Sequence, residues 1–416
     1  MLTNVSKKGL FLLLLAIEKN KMIIAEKTKL ILLITLLSAF PPLSTDMYLP
    51  AIPLLKDMWQ EPLATINLTL VAFFIGYCVS LLIYGPLSDR FGRRPLLLIG
   101  IGVYIIASLL CGFADDVSSL IILRALQGAG AAAGSALALA ITKDLFEGDE
   151  RQKILATVAV IMPLAPMLAP VIGGWIMTYF SWVWIFVAQA MLGCIAWIGV
   201  FRMQESLKTV SNSKMRQVGM VYLQLFKNKK YIRLVLLFSF SALVHYSFIG
   251  SAADIYITRF GLSEQVFGYF FAFNALSIMS GAFTCGRLKK SVDTKTMLTF
   301  AFAGILISSL VMLTQIFPGV WGLAAPMMVA SFCFGLSRPS SNHLILEQVN
   351  THVGSASSLM VFFNFMIGAF SMWMIALNWS DKIITIGTVG IISAGVILLI
   401  WLAINHTFFS KEALSN

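Results

Sequence analysis

Long uncharged runs such as LTLVAFFIGYCVSLLIY alternate along the chain with short charged segments such as GPLSDRFGRRP, near residue 85. A bilayer core about 30 Å thick is crossed by about 20 apolar residues in a helix, the form that leaves no backbone group unsatisfied in lipid. Counting apolar runs between charged or turn-rich breaks gives spans near 30–53, 63–87, 95–114, 117–142, 152–178, 181–203, 231–256, 265–287, 296–316, 320–346, 353–378 and 383–408. The pattern predicts an all-α membrane protein with twelve transmembrane helices.

The longest polar stretch, 204–230, divides these spans six and six. Shifting the first half by about 200 residues lays span 1 on span 7 and the basic loop 88–94 near GRLKK at 286–290. The expected organisation is a cytoplasmic N-terminal extension (1–29), a six-helix bundle (30–203), a cytoplasmic linker (204–230), a second, pseudo-symmetric six-helix bundle (231–408) and a cytoplasmic tail (409–416). Parallel halves of this kind rock about a midplane site in many secondary transporters. The early apolar run GLFLLLLAI is too short to span, and no small-residue cleavage site follows it, so it reads as part of the extension; Met22 is an alternative start.

Composition agrees with the pattern. Of 416 residues 58% are hydrophobic and 12% charged, against roughly a quarter charged in soluble domains. The formal net charge of +11 is a topological signal rather than a nucleic-acid one. With the N-terminus cytoplasmic, Lys56, Arg259 and Lys382 fall outside and Arg124 within a span, while the other lysines and arginines collect on the cytoplasmic side. The five cysteines show no C-x-x-C spacing or His/Asp companions, so neither a disulfide framework nor a metal site is expected.

Between spans 2 and 3, Gly85 and Gly92 allow close approach and a tight reversal. Asp89, Arg90, Arg93 and Arg94 are placed to exchange ion pairs with loop carboxylates such as Asp144, Glu147 or Glu150, a latch able to hold the two halves shut on the inside. A simple basic anchor with a turn would explain the arginines but not the whole pattern G-x-x-x-D-R-x-G-R-R. Two charges stand inside the membrane: Asp46 about seven residues before the outer end of span 1, and Arg124 about seven past the outer start of span 4, at matching depth. Each costs at least about 2.5–3.5 kcal/mol unless paired or wetted. They suggest one shared polar cavity in which Asp46 exchanges a proton, with a static buried ion pair as the structural alternative. Pro163, Pro166, Pro170, Gly173 and Gly174 predict a kinked, closely apposed span 5, read as a hinge face or as a purely structural kink. Further polar candidates are Tyr48, Tyr77, Gln127, His245, Asn274, Arg338 and Asn364 as cavity-lining residues. Phe73, Phe74, Tyr77, Tyr84, Phe362 and Phe363 are candidates for an aromatic wall. Asp254 is expected at the outer mouth.

The loop pattern, with STDMYLPAIP in span 1, RALQGAGAAAG in span 4 and MPLAPMLAPVIGGW in span 5, resembles the major facilitator superfamily, and within it the twelve-span drug:proton antiporters of the bicyclomycin and chloramphenicol resistance (Bcr/CflA) branch. The match is strong in the first half and loose in the second, where GRLKK lacks the aspartate and second glycine; in span 5 the family's Gly-Pro is Ala169-Pro170. The resemblance implies export of small organic compounds or drugs by alternating access, with Asp46 as the proton-linked carboxylate and Arg124 as the signature arginine. The expected setting is a monomer in the bacterial inner membrane, without cofactor beyond the proton gradient. Each inward proton supplies about 2.3 kcal/mol per 100 mV and about 1.4 kcal/mol per pH unit. A dedicated metabolite exporter or a proton-coupled importer on the same fold is the alternative. A membrane enzyme is disfavoured: no H-E-x-x-H, G-x-S-x-G or Walker-type loop occurs.

Overall fold

The computed structural model describes residues 7–207, 215–289 and 291–409. The first half contains α1 (Lys7–Asp46), α2 (Ile52–Trp59), α3 (Leu63–Phe91), α4 (Arg93–Cys111), α5 (Val117–Leu145), α6 (Gly148–Ile161), α7 (Leu164–Tyr179) and α8 (Val183–Arg202). After α9 (Met215–Lys227) the second half contains α10 (Lys229–Ser239), α11 (Ala242–Ala253), α12 (Glu264–Leu288), α13 (Thr294–Thr314), α14 (Trp321–Leu346), α15 (Val353–Ile375) and α16 (Lys382–Phe409). Ten helical segments among the described residues are long and apolar enough to cross a membrane. The other two expected spans are 152–178, which is broken into α6 and α7, and α14, whose apolar run is interrupted by SRPSSNH.

The helix starts follow local chemistry. Asp116, Ser263 and Asp293 each accept the backbone N–H three residues on and so cap α5, α12 and α13. The interruptions follow proline. Pro50 has no N–H for the Asp46 carbonyl, so α1 stops there and the chain continues through a 3₁₀ turn, Leu49–Ala51, into α2. Pro163 and Pro166 likewise divide span 5 at Met162–Pro163, the kink expected of that segment. Span 7 ends in a π-helical turn, Asp254–Arg259.

Internal symmetry is visible in the closest helix crossings. A Cβ at Gly128 would lie 2.0 Å from the Phe73 carbonyl oxygen, so α5 crosses α3 in backbone contact; a Cβ at Gly335 would lie 2.0 Å from the Ile278 oxygen, so α14 crosses α12 in the same way. Spans 2 and 4 thus pack as spans 8 and 10 do. The two bundles meet along two seams, α7 against α12 and α3 against α15. Ile106, Phe300 and Leu399 point outward at 61%, 68% and 72% exposure, an apolar girdle suited to lipid.

Two expectations about the ends are amended. The apolar run near residue 12 belongs to one continuous helix with span 1, its side chains before Lys27 lying outside the described ones. The expected linker contains α9, while 208–214 lie outside the described residues, as do 410–416 of the expected tail. At the start of the second half Asn228 accepts the Tyr231 N–H and so caps α10.

Candidate functional site

Between the halves, at the end of the molecule where α3 turns into α4, opens a cavity of about 400 Å³. Tyr77, Gly85 and Asp89 of α3, Ser135 and Asp144 of α5, Tyr222 of α9 and Ser358 and Val361 of α15 line it. Its inner end is closed by an aromatic cluster drawn from both bundles. Phe74 and Tyr77 of the first half face Tyr246 and Phe365 of the second, with ring centroids 5.0 Å (Phe74–Phe365), 5.4 Å (Tyr77–Phe365) and 5.8 Å (Phe74–Tyr246) apart. Gly368 makes room for the Tyr246 ring, which a Cβ there would meet at 2.6 Å.

The opposite end is shut. The Asn67 amide, fully buried, donates to the carbonyl oxygens of Gly250 (2.7 Å) and Met372 (3.0 Å) across the boundary. A Cβ at Gly174 would lie 2.4 Å from the Glu264 oxygen, and one at Gly268 2.8 Å from the Pro170 oxygen, so α7 and α12 touch backbone to backbone. Gly173 brings α7 equally close to the break in span 1, a Cβ there lying 2.2 Å from the Met47 oxygen. The expected apposition of span 5 is therefore present, against spans 1 and 8. Lys56 approaches Asp254 at 3.5 Å, and Lys382 donates to the same carboxylate at 2.6 Å.

Asp46 sits on the last turn of α1, at the break, and is 6% exposed. Its Oδ1 accepts a hydrogen bond from Thr45 at 2.9 Å. Arg124 is completely buried and turned elsewhere: Nη1 donates to the Ser44 carbonyl (3.1 Å) and Gln127 Oε1 (2.5 Å), and its guanidinium lies over the rings of Phe73 (4.7 Å), Tyr48 (4.9 Å) and Phe186 (5.9 Å). The expected sharing of one polar cavity by Asp46 and Arg124 is thus corrected; no ion pair joins them among the described residues. Matching depth was legible from residue count, but the direction of each side chain around its helix was not. Tyr48 and Gln127, expected to line the cavity, are buried partners of Arg124: Tyr48 bonds Thr69 (3.1 Å), and Gln127 donates to Ser108 and Gln189, both at 2.7 Å.

The second half gathers three of the sequence candidates. Arg338 of α14 donates Nη1 to Asn364 Oδ1 of α15 at 2.9 Å, and its guanidinium lies 5.5 Å from the Phe334 ring, on which His245 stacks at 4.8 Å. Tyr246, next to His245, is within electrostatic reach of both Arg338 and Asp46. It connects the aromatic cluster to charges of opposite sign in opposite bundles. Asn274 is buried on α12 with its Oδ1 unpartnered.

At the open end the loop arginines find partners within the first half and at the start of the linker that follows it. Arg93 reaches Asp89 (2.5 Å) and Asp144 (3.0 Å), and its N–H and that of Arg94 donate to Glu205 Oε1 (3.0 Å) and Oε2 (3.1 Å). Arg94 also donates to the Phe201 carbonyl at 2.5 Å, while Arg90 lies over Phe91 and Glu150 pairs with Lys27. The expected latch between halves is therefore, in this state, a brace inside one half. Gly92, at φ +96°, makes the reversal, but a Cβ at Gly85 would have nothing within 4 Å, so no close approach requires that glycine. The sequence reading missed Asn67, Tyr246 and Glu205. An asparagine in an apolar run was a signal for the first; the others needed the fold. The aromatic wall is likewise redistributed, with Phe73 turned to Arg124 and Phe363 to Phe226 of α9.

Comparison with known proteins agrees with this geometry. An uncharacterized MFS-type transporter, YdgK, of Bacillus subtilis is 30% identical, with 85% of this chain and 90% of that protein covered. A bicyclomycin resistance protein homolog of Haemophilus influenzae is 31% identical over 83% and 88%, and multidrug resistance protein D of Escherichia coli 25% over 79% and 84%. Among solved structures a D-xylose-proton symporter superposes with a TM-score of 0.72 at 15% identity, covering 89% of this chain and 97% of that one, a likeness of fold. The family model of the Major Facilitator Superfamily matches residues 34–372, and the chain, a multi-pass transporter of small molecules, belongs to that family.

Proposed function

We propose that the protein exports small organic compounds or drugs from the cytoplasm across the bacterial inner membrane in exchange for protons. The basic end, where the cavity opens, faces the cytoplasm by the distribution of lysine and arginine, with both termini on that side. One observation carries the reading. Asp46 is a buried carboxylate with no cationic partner among the described residues, at a helix break between an open cavity and a shut far end. An ionised carboxylate in that setting is expensive. Proton uptake relieves the cost, and a substrate that disturbs the Tyr246 cluster alters the polarity around Asp46, so the two cargoes oppose each other. Relatives bearing multidrug and bicyclomycin resistance names support efflux. Arg124, held by Ser44, Gln127 and three rings, keeps spans 1 and 4 in register beside the break and positions the proton site rather than neutralising it.

Inside-out vesicles from cells expressing the wild type and Asp46→Asn provide the test. An imposed pH gradient with the vesicle lumen acidic, so that protons leave as substrate enters, should drive uptake of a phenicol or bicyclomycin-like drug by the wild type, with at least a tenfold lower rate for the variant at equal protein. Equal gradient-driven uptake by both would remove Asp46 from the mechanism. Accumulation in the opposite direction would make the protein an importer.

A further inference from the structure

Besides Asp46 and Arg124, Arg338 also stands inside a span rather than on the cytoplasmic side, and none of the three has an ion-pair partner among the described residues. At the ends the situation is the reverse: Arg93 has Asp89 and Asp144, Lys382 has Asp254, and Arg259 has Asp381. The interior therefore carries two guanidinium groups against one carboxylate. Arginine keeps its charge where other groups shed theirs, so the imbalance persists and grows whenever Asp46 is protonated.

The two arginines differ in what they can still bind. Arg124 is sealed at 0% exposure behind Tyr48, Phe73 and Phe186. Arg338 is half-buried, within electrostatic reach of Tyr246, and spends one N–H on Asn364, leaving most of its five donors without an acceptor among the described residues. His245, stacked on the same Phe334 ring, has an unpartnered buried Nδ1. A guanidinium held in a planar, partly satisfied geometry inside the membrane binds carbonyl or carboxylate oxygen well, whereas a cation brought to the same place meets like charge in a medium of low dielectric.

Taking the Tyr246 cluster as the place where substrate acts, as proposed above, we infer that the substrate is an uncharged or anionic compound whose carbonyl or carboxylate oxygen binds Arg338, and that organic cations are excluded. The aromatic cluster of Phe74, Tyr77, Tyr246 and Phe365 supplies the apolar surface against which the rest of such a compound packs. Asn364 fixes the guanidinium plane and is a positioning residue.

The full-length purified protein is tested by equilibrium binding of three probes: chloramphenicol as an uncharged amide, salicylate as an aromatic carboxylate, and tetraphenylphosphonium as a cation. At least one oxygen-bearing probe should bind at least tenfold more tightly than the cation. Arg338→Gln should weaken that binding at least tenfold and raise the KM of transport with little change in maximal rate, and Arg338→Lys should retain part of the affinity. The lysine variant also serves if the glutamine one fails to fold: it keeps the charge but not the fork, so it must still reject the cation. Tetraphenylphosphonium binding as tightly as the better oxygen probe, no binding of either oxygen probe, or unchanged affinity in Arg338→Gln would each overturn the inference. Failure of the antiport reading is distinguishable, since the probes would then bind with this preference while no imposed pH gradient moved them.

Discussion

The Asn67 side chain donates to the Gly250 carbonyl at 2.7 Å, from one bundle to a helix of the other, with no solvent exposure. Together with its bond to the Met372 carbonyl it ties the two bundles at the shut end of the transporter. Removing a buried donor leaves its acceptors unsatisfied, at about 1–3 kcal/mol, which corresponds to a roughly 5- to 150-fold change in a two-state population. Asn67→Ala should therefore shift the protein away from the state open at the basic end. Spin labels on Asp115→Cys and Ser380→Cys, exposed loop positions of the two halves at the shut end, report the change as a longer distance. An unaltered distance distribution would deny Asn67 this role.

The α7–α12 seam sets a second expectation. Gly174→Ala would put a methyl group 2.4 Å from the Glu264 carbonyl oxygen, a backbone atom held in the first turn of α12. The helices must separate, and the same label pair should widen, with gradient-driven transport falling at least tenfold. Gly85→Ala is the contrast: nothing lies within 4 Å of a Cβ there, so the melting temperature of the purified protein should match the wild type. Equal behaviour of the two variants would show that backbone proximity at Gly174 does not govern closure.

Glu205 sits at the positive end of α4, where its two oxygens accept the N–H groups of Arg93 and Arg94. A carboxylate in that place satisfies orphan donors and complements the helix dipole, together worth about 1 kcal/mol. Glu205→Ala should lower thermal stability, and Glu205→Gln should recover part of the loss, because the amide oxygen still accepts while the charge is gone. Gly92→Ala should be worse than either, since φ is +96° and the new methyl would lie 2.7 Å from Glu205 Oε2. A ranking with Gly92→Ala as the mildest of the three, read by thermal unfolding in detergent, would contradict the cap.

Most of the fold was legible because membrane spans are written as uncharged runs of fixed length, and the kinks because proline removes a specific donor. Asp46, Arg338 and Asn364 stood out for the same reason, as polar side chains in apolar surroundings. What the pattern could not give was azimuth. Asp46 and Arg124 were placed at one depth by counting residues, yet Arg124 turns toward Ser44 and Gln127 inside its own bundle. The polarity of Tyr48 and Gln127 suggests the cavity, whereas their hydrogen bonds are spent on Arg124, Thr69, Ser108 and Gln189. The partner of an ion pair is equally hidden when it comes from a loop: Asp144 was among the carboxylates expected near Arg93, but Glu205, far along the chain and beyond span 6, was not. Whether a brace lies within a half or between halves depends on the conformational state, which sequence does not encode as a single answer.

The Arg259–Asp381 pair yields a prediction about pH. Arg259 Nη1 and Nη2 donate to the two oxygens of Asp381 at 2.9 and 2.8 Å, and Asp381 also accepts the Ile383 N–H at 2.8 Å. These bonds favour the ionised form, and the Arg259 guanidinium first among them holds the Asp381 carboxyl below the usual carboxylate range, against a smaller opposing effect of burial. A carboxyl lowered by folding adds stability that is present above its unfolded value, near 3.9, and that is lost as pH falls through the lower folded value. The neighbouring Lys382 is engaged by Asp254 and does not replace Arg259. Because Arg259 is 43% exposed, the contribution is under about 1 kcal/mol. Asp381→Asn should therefore melt slightly lower than the wild type at pH 7, and the two curves should converge as pH falls below about 4. A difference that persists unchanged into strong acid would assign the effect to the amide's altered hydrogen bonding at the start of α16 rather than to the charge.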